Sequence, residues 1–323
     1  MRALRLSRIG ERPEVAEIPL PEPGPGELRV RIAAAALNFA DLLMVRGEYQ
    51  VRPELPFTLG MEAAGFVDAL GPGTAGPVPG TRVAVVAGTG ALAEFGCFPA
   101  AACIELPDAV PFEAAAATPV AYGTSYIALS DRAALGPGET LLVLGAAGGV
   151  GLTAVEIGRL MGARVIAVAR GTPRLEIARA AGADLLIDSD TGDLRAALKA
   201  AGGVDVAYDP VGGPAFDAAL RALRPGGRIL AIGFASGTVP QVPANLLLVK
   251  NATVIGFWFG GWMEAFPDRV RDGLGRIFRW QAEGRLRPHV SHVLDLEGAV
   301  AGLELLRSRA ATGKVVVRTG ADG

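Results

Sequence analysis

The run Leu144-Gly145-Ala146-Ala147-Gly148-Gly149-Val150-Gly151 has small residues at the offsets a nucleotide-binding turn requires. Holding a pyrophosphate at a helix N-terminus takes a tight turn, a position without a side chain where the phosphates approach, and a small residue where helix meets strand. Gly148 and Gly151 fit the second and third roles, and Ala146 stands where the first glycine commonly is. Gly149 and Val150 then open the helix whose free amides face the phosphates. A lone glycine pattern can be no more than a tight turn. Here it follows the apolar run Leu141–Val143 and precedes a helical stretch, Val150–Met161, so a dinucleotide cofactor is expected.

Which dinucleotide is decided at the end of the next strand. An NAD site places an acid there, about 20 residues beyond the first glycine position, to take the ribose 2′-hydroxyl. This chain reads Ala169-Arg170-Gly171-Thr172-Pro173-Arg174, with no acid before Glu176. Two guanidiniums and a hydroxyl suit a 2′-phosphate, so NADPH is expected on Arg170, Thr172 and Arg174; the alternative is that both arginines are ordinary surface charges. No metal site is expected. The two histidines, His289 and His292, and the two cysteines, Cys97 and Cys103, are too few for a zinc-thiolate site, and two cysteines make no disulfide framework.

The elements that must position these residues fall into two rhythms. Short runs, Ala3–Leu6, Glu27–Ala34, Ala63–Asp68 and Arg82–Val86, are separated by breakers such as Pro21–Gly26 and Gly71–Gly80, which suggests a small barrel-like domain. A long helical period is read over Pro111–Leu129. From Thr140 strands alternate with helices: Arg164–Ala169, Leu185–Ile187, Val204–Tyr208, Arg228–Ile232 and Thr253–Phe257, with helices near Pro173–Ala181, Leu194–Ala200 and Ala215–Leu223. That alternation predicts a doubly wound parallel sheet. The tail, with helices Ala265–Ala282 and Glu297–Arg307 and strands Val290–Leu294 and Lys314–Val317, does not continue the series and is expected to return to the first domain. The domains are therefore read as 1–117 with 260–323, and 118–259.

Of the 323 residues, half are hydrophobic, 31 are Lys or Arg and 33 are Asp or Glu, giving a formal charge of −2. The balance excludes general disorder and gives no nucleic-acid or membrane-surface footprint. No apolar run reaches the roughly 18 residues of a membrane span, and Met1–Gly10 has no signal-peptide core, so a cytoplasmic protein is expected. The 44 glycines are about twice the roughly 23 of average usage, and the question they raise is one of position.

Several stretches together carry a resemblance that runs nearly end to end. They are Leu37-Asn38-Phe39-Ala40-Asp41, Gly47-Glu48-Tyr49, Pro56-Phe57-Thr58-Leu59-Gly60-Met61-Glu62, the glycine turn, Tyr208-Asp209-Pro210-Val211-Gly212 and Thr312-Gly313-Lys314-Val315. The chain resembles the medium-chain dehydrogenase/reductase superfamily and, within it, the zinc-free quinone oxidoreductase (ζ-crystallin-like) branch. The Leu37–Asp41 stretch is also similar to the vesicle amine transport protein group. The resemblance implies an α/β protein with a GroES-like β-barrel catalytic domain and a Rossmann cofactor domain. Zinc-dependent relatives have a Cys where Asn38 stands, a His where Met61 stands, and a lobe with four closely spaced cysteines; none of these is present.

Without a Lewis acid, the implied chemistry is hydride donation from NADPH to an acceptor already activated by conjugation, a quinone or an α,β-unsaturated carbonyl. By resemblance Asn38, Asp41 and Tyr49 lie beside the nicotinamide, with Asn38 donating to its carboxamide or to the substrate oxygen and Tyr49 donating a hydrogen bond or a proton. Thr124 matches a position near the nicotinamide ribose. Gly233 and Phe234 close the fifth strand at the ligand edge of the sheet. Arg309 matches an arginine that reaches the cofactor phosphates, with Lys314 close by. Each of these also has a plain structural reading, as a cap, a packing residue or a solvated charge. Leu43 and Ile187–Ser189 stand where bacterial quinone oxidoreductases often carry tyrosines, and Phe234 replaces a more usual small polar residue. Phe257-Trp258-Phe259 and Trp262 read either as core or dimer packing or as an apolar substrate wall. A homodimer is expected, paired through the sixth strand. An enoyl-thioester reductase, or a non-catalytic NADPH-bound crystallin, RNA-binding or vesicle-associated protein, are the rival readings.

Overall fold

The computed structural model describes residues 1–320, which form two units, Met1–Gly123 with Met263–Gly320 and Thr124–Trp262. The chain passes between them within the helix Pro119–Ile127, so the unit boundaries fall later than residues 117 and 259.

In the second unit six parallel strands lie in the order Leu185–Asp188, Arg164–Ala169, Thr140–Leu144, Val204–Asp209, Leu223–Ala231 and Thr253–Gly256. Every residue of Thr140–Leu144 is buried, as a strand covered on both faces must be. Its neighbours are Arg164–Ala169, with Val168 opposite Leu144, and Val204–Asp209, with Tyr208 opposite Val143. These are the second and fourth strands of the unit, so the order reverses at Thr140–Leu144, where open α/β sheets place their ligands. The helix Gly149–Leu160 packs close on this strand: a Cβ at Gly158 would stand 2.4 Å from the Leu141 side chain. Phe216, Ala219 and Leu220 of the helix Gly213–Ala222 fill one core together with Leu142, Ile166 and Ile229.

The first unit is built on a long strand, Glu27–Leu37, whose burial alternates and then becomes continuous from Ala34. It pairs antiparallel with Glu62–Leu70, with Phe95–Pro99 and, through the C-terminal strand Lys314–Arg318, with the end of the chain. Together with Arg82–Val86, Cys103–Glu105 and Val290–Asp295 these make a seven-stranded sheet; a second sheet holds Arg2–Leu6, Glu14–Glu17 and Phe57–Thr58. Pairing of Val315 with Leu37 carries the tail residue Lys314 to the end of the Glu27–Leu37 strand. The helix Phe39–Arg46 begins one residue further on, capped by Asn38, and stops at Gly47, whose left-handed φ of 70° suits glycine.

Two helices differ from the sequence expectation. The single period read over Pro111–Leu129 is divided into Phe112–Ala116, Pro119–Ile127 and a π-helical turn Ala128–Arg132, and Ala265–Ala282 is interrupted at Phe266 before Pro267. Pro119 and Pro267 each start a new helix, because proline has no N–H to continue the old one; the π-helical turn follows Ile127 with no proline. The helix Ala244–Lys250 packs only Leu246 and Leu247 on the core and leaves Leu248 and Val249 exposed, too short a stretch to show a period. Phe216→Ala, which empties a fully buried ring site, should cost about 3–5 kcal/mol in urea-induced unfolding of the second unit.

Candidate functional site

In the second unit the turn after Thr140–Leu144 is held by backbone bonds: Ala146 N–H donates to Val168 O and Gly148 N–H to Gly145 O. The left-handed residue is Gly145, at φ 60°, so Ala146 is tolerated where a glycine was expected. Gly145 was missed as a functional position, although the doublet Gly145-Ala146 carries the signal. Gly151 is fixed by packing, since a Cβ there would come 2.2 Å from Gly145 O. Gly148 is different. A Cβ at Gly148 would meet one atom within 4 Å, Gly145 O at 3.3 Å, so the protein itself crowds this position far less than it crowds Gly151. An approaching pyrophosphate would require glycine there. The first helical turn supplies the amides of Gly149, Val150 and Gly151, and Val150 O accepts from Ser125 Oγ and Thr153 Oγ1, with Tyr208 joined to Ser125 at 3.0 Å. This buried hydroxyl chain fastens the start of the helix to the sheet. The residues fit a dinucleotide.

Arg170 and Thr172 are exposed and Arg174 is half-buried, around the turn Gly171, which has φ 74°. Asp188 braces that turn, its Oδ1 accepting from Gly171 N at 3.1 Å and from Asp190 N at 3.0 Å. These two amides hold its carboxyl below the usual carboxylate range. Asp209, a further residue whose role was not foreseen, ends the fourth strand and accepts from Val211 N and Gly212 N, folding the turn on which Gly233 and Phe234 rest. Phe234 is 42 % exposed and Thr124 is buried. Phe257 and Phe259 are buried, and Trp262 is packed by Phe257 and Arg132, so these aromatics serve the core of the unit; Trp258 is partly exposed.

In the first unit a charged cluster is buried where the tail strand meets the Phe39–Arg46 helix. Lys314 Nζ donates to Asn38 Oδ1 at 2.6 Å, Glu62 Oε1 at 2.6 Å and Leu37 O at 3.1 Å. Glu62, fully buried, also accepts from Asn38 Nδ2 at 2.9 Å and, through Oε2, from Val120 N at 2.7 Å. Asp41 accepts from Asn38 N at 2.7 Å and from Gly60 N at 3.3 Å, closing the helix start. Burial pushes the Asp41 carboxyl up to about 6, against those two hydrogen bonds and the nearby Lys314 charge.

This geometry corrects the reading of Lys314. The ammonium is buried and its three donors are used inside the unit, so it is no contact for cofactor phosphates. Glu62 was legible only as part of a motif; the signal for its role is a carboxylate heading the otherwise apolar run Ala63–Val67. Tyr49 is half-buried against the core, and Arg309 is exposed at φ 58°. Among the described residues no group of three or more His, Cys, Asp or Glu side chains is placed to hold a metal ion. His289 bonds Thr312 and His292 bonds Ser291, while Asn38 and Met61 offer no zinc-binding pair. The donor set does not fit a catalytic zinc.

Asp41 titrates near 6 in the folded chain against 3.8 for an ordinary aspartate. Its charged form therefore opposes folding at neutral pH, and the penalty fades as pH falls through 6. Carboxyl-carbon NMR should place its midpoint about two units above that of exposed aspartates, and Lys314→Met should raise it further.

Comparison with known proteins agrees with both halves. The alcohol dehydrogenase GroES-like domain family matches residues 24–108 and the zinc-binding dehydrogenase family residues 149–274. Quinone oxidoreductase-like protein 2 of Bos taurus is 39% identical over 313 residues, 95% of this chain and 89% of its own. The synaptic vesicle membrane protein VAT-1 homolog of Homo sapiens is 32% identical over 320 residues, 94% of this chain and 81% of its own. Among solved structures, the quinone oxidoreductase of Thermus thermophilus, also determined as its complex with NADPH, superposes with a TM-score of 0.88 at 36% identity, covering 99% of this chain and 100% of that one. With its GroES-like sheet unit and parallel Rossmann unit, the chain belongs to the medium-chain dehydrogenase/reductase superfamily, in the quinone oxidoreductase branch.

Proposed function

We propose that this oxidoreductase transfers a hydride from NADPH to a quinone or an α,β-unsaturated carbonyl without zinc. The observation that carries the reading is the cradle at Gly148, open where a pyrophosphate would lie, followed by a second strand that ends in Arg170 with no acid. NADPH supplies the hydride when bound; the chain binds, orients and stabilises charge. The amides of Gly149, Val150 and Gly151, with the Ala146 and Gly148 backbone beside them, receive the pyrophosphate. Arg170, Thr172 and Arg174 take the 2′-phosphate, on a loop that Asp188 keeps in shape. Thr124 bonds the nicotinamide ribose, Arg309 reaches the phosphates, and Gly233 and Phe234 shape the ligand edge. Asn38 lies beside the nicotinamide carboxamide and Asp41 holds its backbone. The Tyr49 hydroxyl donates to the acceptor oxygen as negative charge grows there.

The same reading makes the protein a cytoplasmic homodimer. What supports dimerisation is the edge strand Thr253–Gly256, hydrogen-bonded within the sheet on one side only, near the exposed Leu248 and Val249. No helix among the described residues is long and apolar enough to cross a membrane. The likeness to a synaptic vesicle membrane protein homolog supports one other reading, a vesicle-associated chain that binds NADPH but is not an enzyme.

Two measurements decide. With a panel of quinones, enones and enoyl-CoA thioesters, nicotinamide absorbance should fall with NADPH for quinones or enones; oxidation of enoyl-CoA substrates alone, or of none, would contradict the proposal. The double variant Arg170→Ala/Arg174→Ala should raise the NADPH Kd by about a hundredfold and leave the NADH Kd within a few-fold. Equal effects on both would contradict the 2′-phosphate assignment.

A further inference from the structure

Asn38 is flanked by two side chains of opposite hydrogen-bonding character. Lys314 can only donate, and Glu62, already accepting from Val120 N, can only accept as the partner of a buried ion pair. The carboxamide therefore has one orientation, with Oδ1 against the ammonium and Nδ2 against the carboxylate. Both Nδ2 hydrogens are taken, one by Glu62 Oε1 at 2.9 Å and the other by Ala36 O at 3.3 Å. What Asn38 has left for a ligand is one lone pair on Oδ1.

We propose that Lys314 and Glu62 are positioning residues that fix the Asn38 carboxamide with Nδ2 occupied and Oδ1 as its one acceptor, so that Asn38 accepts a hydrogen bond from the nicotinamide amide instead of donating one. The inference rests on the reading of this site as a nicotinamide site. It reverses the direction expected from sequence. It also leaves Tyr49 as the donor to the substrate oxygen, since Asn38 has no hydrogen to spare.

A pair of neutralising substitutions tests it. Lys314→Met/Glu62→Gln removes both members of the ion pair together, so neither is left as an unpaired buried charge, and the attraction of Lys314 and the repulsion of Glu62 on Asp41 are lost together. Val120 N–H still requires the oxygen of Gln at position 62, which turns its amide nitrogen toward Asn38. Asn38 must then reverse, presenting hydrogens where it presented oxygen. The expected result is an NADPH Kd raised about tenfold, with the Kd for adenosine 2′,5′-bisphosphate, which lacks the nicotinamide half, unchanged. Equal Kd changes for both ligands, or none for either, would overturn the proposal. Wild-type protein that binds the bisphosphate but gains nothing from the nicotinamide half would overturn it too, whereas binding of neither ligand would defeat the functional reading beneath it. A measurement on the unaltered chain stands beside this. Asn38, Asn245 and Asn251 are its three asparagines, and the latter two are exposed. In protein labelled with 15N-asparagine, the Asn38 side-chain hydrogens should exchange most slowly, with and without NADPH; fast exchange, or protection gained only when NADPH binds, would contradict the assignment.

Discussion

The Lys314–Glu62 ion pair is the interaction on which the geometry of the first unit turns. Its two groups are buried at a site where an unpaired charge would cost several kcal/mol, so each must find its partner for the unit to close. Lys314 comes from the final strand and Glu62 from the head of another, far apart in the chain. Between them stands Asn38, the last residue before the Phe39–Arg46 helix. The pair thus joins a strand end, a helix start and the returning tail, and the polar atoms of Asn38 are satisfied as a consequence. Asp41 adds the fourth polar group by holding Asn38 N and Gly60 N, at the cost of a desolvated carboxyl.

The second unit solves a different problem with equally few polar groups. Its glycine turn carries no charged side chain. It relies on amides left free by helix geometry, and on a buried chain of hydroxyls from Ser125, Thr153 and Tyr208 that holds the helix start in place. Asp188 and Asp209 work likewise, each directing its carboxylate at backbone amides to shape the loop after a strand. Arg170 is exposed and Arg174 half-buried beside the Gly171 turn.

Much of this was legible in the sequence, and what was not has identifiable causes. Strands such as Arg82–Val86 and Arg164–Ala169 are found where their apolar runs lie, because a strand buried on both faces has little else to be made of. The glycine turn was readable because Gly151 has no room for a Cβ beside Gly145 O and because the small residues follow a buried strand and open a helix. Helix ends at Pro119 and Pro267 were misjudged by letting apolar periodicity outweigh proline. Lys314 was misplaced because its neighbour is set by antiparallel pairing of Val315 with Leu37, a register no local pattern encodes. Without that pairing a lysine near the chain end reads as surface charge, and Asn38 reads as a free donor.

The proposed hydride transfer needs no metal, since an amide, Asn38, and a thioether, Met61, stand where zinc-dependent relatives carry zinc ligands. The direct measurement is NADPH oxidation by a quinone acceptor in protein freed of metals by chelation, with metal content determined on the same sample. Full activity in the metal-free protein, unaltered by added zinc, is the predicted result. Activity that is lost with the metal and restored by zinc would contradict the account.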